Sequence, residues 1–149
     1  MREKTTVQFK IHSAKLTAKD VAARIGLEPD ESWKAGDQRG PFGTHEKQHG
    51  FVLESKLPPH GTLDEHVKAM LKRLAPAAQK IGALVNEATI EFVCTIHRNV
   101  GPALRFERDD VRWLGVMGAR LDVDVFIIRE NAPAKAAPPP GTGPAKPAA

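Results

Sequence analysis

Five consecutive residues, His45-Glu46-Lys47-Gln48-His49, reproduce the His-Glu-x-x-His spacing with which zinc hydrolases hold their metal. On a helix that spacing sets both imidazoles on one face, with the glutamate beside them as general base. Here Gly40, Pro41 and Gly43 precede the five residues, Gly50 follows them, and a strand pattern begins at Phe51. Asp64 and Glu65 offer a downstream acidic third ligand, but they read instead as the first turn of a helix. The match is expected to be fortuitous, and a zinc-dependent hydrolase using His45, Glu46 and His49 stands only as the alternative function.

Two further pairs invite chemistry. Cys94 and His97 would make a nucleophile and its base, but on a strand their odd spacing sends them to opposite faces. Cys94 instead shares a face with Ile90, Phe92 and Ile96, the setting of an inert buried thiol. Asp122 and Asp124 do share a face, roughly 7 Å apart by strand geometry, as a general acid and base could. On an alternating strand such a pair marks the solvated side, although Phe126 and Ile128 continue that face and imply partial cover.

The stretch from Val21 to Gly43 carries the favoured site. It starts as helix, stops at Gly26, turns at Pro29 and then enters a segment rich in charge and glycine. Trp33, Lys34, Asp37, Arg39 and Phe42 there combine aromatic anchors with charge, a mixture enriched at protein interfaces. Trp33 has two readings: it folds back onto the sheet and closes the core's open end, or it stands out as an exposed anchor.

The elements that must position these residues follow from pattern. Val7, Phe9 and Ile11 alternate with polar residues as in a half-buried strand. Thr17 with Asp20, and Thr62 with Glu65, have capping-box spacing ahead of helices that begin near Val21 and Leu63. Leu63, Val67, Met70, Leu71 and Leu74 form the apolar stripe of the longer one, which Pro76 interrupts before a short turn through Ile81 and Leu84. Phe51 to Ser55, Thr89 to His97 and Leu121 to Ile128 alternate as strands, and Asp109 and Asp110 open a helix that ends at Gly118. The stretch between Gly36 and Gly50 has room for a short strand or hairpin. Because the strands are amphipathic rather than uniformly apolar, a sheet buried on both faces is disfavoured. The expected fold is α+β, a two-layer sandwich with a largely antiparallel sheet of four to five strands and about three helices on one face.

The 149 residues suit one domain over 1–130. In 131–149, proline, alanine and glycine supply 15 of 19 residues, so this tail is expected to be disordered. Its Lys135 and Lys146 account for half of the net charge of +4, leaving a nearly balanced body. With no tyrosine and only a fragment of a base-stacking strand motif, a nucleic-acid partner is not expected. One cysteine, no signal-peptide pattern and no apolar run of membrane length fit a soluble cytoplasmic protein.

The run Ile25-Gly26-Leu27-Glu28-Pro29, followed by Trp33-Lys34-Ala35-Gly36-Asp37, resembles the opening of the domain-of-unknown-function family 4279. The strand Phe51-Val-Leu-Glu-Ser55, the long helix after it and the strand Leu121-Asp-Val-Asp-Val125 extend the resemblance over roughly residues 5–130. It implies a small bacterial-type α+β domain without an established activity, and brings no catalytic residue. The combined expectation is a non-enzymatic protein-binding or regulatory module, of an immunity-like kind, with no cofactor, a protein partner and the Trp33 loop as its contact surface.

Overall fold

The computed structural model describes residues 2–129. The expectation of a disordered tail over 131–149 falls outside them. Strand β1 (Lys4–Ser13) is followed by α1 (Ala18–Ile25), the short strands β2 (Glu31–Trp33), β3 (Gln38–Arg39) and β4 (Thr44–His45), and β5 (His49–Glu54). Then come α2 (Leu63–Leu74), a 3-10 turn over Ala75–Ala77, α3 (Ala78–Gly82), β6 (Thr89–Arg98), α4 (Arg108–Met117) and β7 (Arg120–Ile127). Five strands form one sheet in the order β2-β5-β1-β6-β7, while β3 and β4 make a separate hairpin. All pairings are antiparallel except β6 with β7, which the intervening α4 allows to run parallel. The fold is the α+β sandwich expected from the alternation.

The three longer helices, α1, α2 and α4, start at capping boxes in which side chains satisfy free amide groups. Thr17 and Asp20 exchange reciprocal bonds of 3.0 and 3.1 Å at α1, and Thr62 and Glu65 do the same at α2. At α4 the Asp110 carboxylate accepts the Glu107 N–H at 2.9 Å. Pro76 falls in the 3-10 turn, where its missing N–H costs no helical bond.

Val7, Phe9 and Ile11 of β1, Phe51 and Leu53 of β5, and Ile90, Phe92, Cys94 and Ile96 of β6 face the helices and are buried with Val67, Met70, Leu74 and Met117. Cys94 belongs to this core, and burial pushes its thiol up to about 12. His97 points the other way and stacks on Phe126 at 4.8 Å. Two polar ties cross the helical layer. Lys68 of α2 donates to the buried Asp110 of α4 at 2.6 Å, a bond that raises the Lys68 ammonium above its ordinary range. His66 of α2, also buried, accepts from the Ser55 hydroxyl at 2.6 Å through Nδ1 and donates to the Pro58 carbonyl at 3.1 Å through Nε2. The carbonyl can only accept, which fixes that tautomer. Among the described residues, no helix is long and apolar enough to cross a membrane.

Candidate functional site

The segment after Pro29 is not an irregular loop. The Asp30 N–H donates to the Val52 carbonyl at 2.8 Å, and β2 then pairs with β5 through Glu31–Val52, Ser32–Phe51 and Trp33–Gly50. Trp33 thus ends an edge strand too short for alternation to reveal it. Paired residues share a face, so Trp33 lies over Gly50 with His12 beside it, on the side of the sheet that carries no helix. A side chain at position 50 would begin 2.0 Å from the indole, so glycine is what lets the ring lie flat on the backbone. Trp33 is only 9% exposed, and its Nε1–H donates to the Gln48 carbonyl at 3.0 Å. It closes a small patch apart from the main core and does not plug the core's end. Val52, on the same helix-free face, is buried as well, so β5 is covered on both sides.

Above the indole lies the Arg39 guanidinium, 3.7 Å from the ring centroid. Arg39 also bonds Glu31 and, at 3.4 Å, Glu46, so one side chain joins β2, β3 and the end of the hairpin. The hairpin base is tied further by Gly36 N–H to the Glu46 carbonyl and Glu46 N–H to the Asp37 carbonyl, both 2.8 Å. Asp37 accepts the Lys34 N–H on its carboxylate at 2.9 Å, closing the turn that leads in. The connection Gly40-Pro41-Phe42-Gly43 needs left-handed backbone at both glycines, with φ of +83° and +63°. At its tip Phe42 is 91% exposed.

The five residues expected to form the site therefore divide. Trp33 and Arg39 form its foundation, Lys34 and Asp37 shape the entry turn with exposed side chains, and Phe42 alone presents a large apolar surface. A cleft of about 410 Å³ lined by Thr17, Lys19, Ser32, Trp33, Lys34 and Asp37 flanks the base. Gly50 and Glu46 were not legible as parts of this site, because only the register of β2 on β5 brings them to Trp33 and Arg39.

The alternative zinc site is not assembled. His45 lies in β4 and His49 in β5, so the helical face that the motif requires is absent from 45–49. The His49 Nδ1 accepts the Ala35 N–H at 3.0 Å, and this bond ties the start of β5 to the entry turn. Among the described residues, no three His, Cys, Asp or Glu side chains are grouped to hold a metal. Asp122 and Asp124 lie on the helix-free face, with Asp122 bonded to Arg120 at 3.2 Å.

Asp30 anchors the foot of β2. It accepts from Arg73 at 2.8 Å, from Lys56 at 2.7 Å and from the Glu54 N–H at 2.8 Å. Arg73, in the last turn of α2, is drawn into this cluster. Partial burial alone would raise the Asp30 carboxyl, but these three donors outweigh it and hold the group well below the usual range. A depressed carboxyl contributes stability that is complete above its unfolded value near 4 and is lost as pH falls toward the folded value. Asp30→Asn should cost about 1–3 kcal/mol at pH 7. The deficit should narrow by about 1 kcal/mol at pH 3, as urea unfolding at the two pH values would show; an unchanged deficit would contradict the assignment.

The family model for a domain of unknown function, DUF4279, matches residues 3–127. No curated protein and no solved structure matches the chain.

Proposed function

The chain belongs to the DUF4279 family, and from that premise we propose that it is a non-enzymatic cytoplasmic module of regulatory or immunity-like kind that binds another protein through the β3–β4 hairpin. Phe42 is the anchor, Lys34 and Asp37 add charge at the hairpin's base, and Trp33 with Arg39 holds that base in place. The observation that carries this reading is a 91% exposed phenylalanine on a hairpin whose base is stacked, ion-paired and hydrogen-bonded to the sheet. An aromatic that is displayed by a preorganised support loses little freedom on binding, which is how a small contact can supply much of an interface's affinity.

The test is affinity purification from cells of the native host with wild-type, Phe42→Ser and Trp33→Leu chains as baits. A partner should be recovered in near-stoichiometric amount by the wild type. Phe42→Ser should weaken its binding by about 2 kcal/mol, roughly thirtyfold in affinity, without changing thermal stability by more than about 0.5 kcal/mol. A partner that binds the Phe42→Ser chain as tightly as the wild type would refute the assignment.

A further inference from the structure

The two edges of the sheet are built differently. At one edge, β2 has only three residues and is flanked by the hairpin and the Asp30 cluster. At the other, β7 runs for eight residues, and among the described residues no strand pairs with its outer side. The Ile128 N–H donates inward to the Arg98 carbonyl at 2.8 Å. Backbone groups alternate along a strand, so the N–H and C=O groups of Leu121, Val123, Val125 and Ile127 point outward. Their side chains lie on the helix side of the sheet, where Leu121 is still 37% and Ile127 46% exposed. Asp122 and Asp124 occupy the opposite face of the same strand. An uninterrupted edge with apolar side chains on one face and paired carboxylates on the other is a template for one more strand.

We infer that the outer edge of β7 docks an extended protein segment in which basic and apolar residues alternate. Such a segment would complete the four outward amide groups, set its apolar residues beside Leu121, Val125 and Ile127, and bring its basic residues against Asp122 and Asp124. Charge decides against a second copy of the chain. The antiparallel self-pairings that overlap most of β7 centre on Val123 or Asp124 and set aspartate opposite aspartate, an arrangement that destabilises a sheet. The chain's own 131–149 segment is a poor occupant for a different reason. Its six prolines lack the N–H that an added strand must donate, and no more than four residues in a row are free of proline.

The test uses the full chain and two short fluorescein-labelled peptides, one alternating lysine with valine and the other glutamate with valine. The lysine peptide should bind at least tenfold more tightly and slow amide exchange at Val123, Val125 and Ile127. Asp122→Lys combined with Asp124→Lys should reverse the preference. Val125→Pro, which removes an outward donor and leaves the β6 ladder its bonds, should abolish binding while the chain stays folded by circular dichroism. Equal binding of both peptides would overturn the inference. So would dimerisation through this edge in sedimentation, or outward amides already protected in the unliganded chain.

Discussion

Gly50→Val is expected to destabilise the chain by roughly 2–4 kcal/mol and to expel Trp33 from its seat. Secondary-structure preference points the other way, because valine favours strands and glycine weakens them. Any loss therefore measures the collision between a new side chain and the indole. That collision is severe: a Cβ would stand 2.0 Å from Cε2, 2.1 Å from Cζ2 and 2.5 Å from Cδ2 of a flat, rigid ring. The ring cannot slide aside without giving up the bond to the Gln48 carbonyl and the stack with Arg39. In a Trp113→Phe background, which leaves one tryptophan, the emission maximum should shift to the red and acrylamide quenching should rise. Equal or greater stability with unchanged emission would mean that Trp33 does not lie on Gly50.

His66→Ala should cost about 3 kcal/mol, combining a buried cavity with the loss of two hydrogen bonds. The side chain is 1% exposed and joins the end of β5 to α2 through Ser55 while accepting orientation from Pro58. Ser55→Ala alone should cost about 1–2 kcal/mol, since it strands the imidazole Nδ1 without a donor. The double variant should be less destabilised than the sum of the two by about 1 kcal/mol, the signature of a direct contact. Urea unfolding of the four chains measures this; strict additivity would contradict the bond.

The parts of the fold that sequence reveals are those set by near neighbours. Thr17 with Asp20 and Thr62 with Glu65 announce helix starts because each cap is complete within four residues. The long strands announce themselves because β1 and β6 each alternate over ten residues against one helical layer. Trp33 gave no such sign. Three residues are too few to show a period, and its burial depends on Gly50, which reaches it only through pairing with β5. Val52 misleads for a related reason: alternation sends it outward, yet it is buried on the helix-free face. His66 sits on the apolar stripe of α2, and nothing near it in the chain indicates that Ser55 and Pro58 are its partners. The His45 to His49 spacing was legible as a chance match, because the glycines around it argue against a helix, and the two histidines do lie on two strands.

The hairpin's role can be tested most directly with a photo-crosslinking amino acid installed at position 42 of the full chain in cells of the native host. One discrete crosslinked species is expected. It should be absent when the crosslinker stands at exposed Lys80, on the helical side, and much reduced when Gly50→Val removes the hairpin's support. A crosslink of equal yield from position 80, or one that persists undiminished with Gly50→Val, would contradict a binding surface built on Trp33 and presented by Phe42.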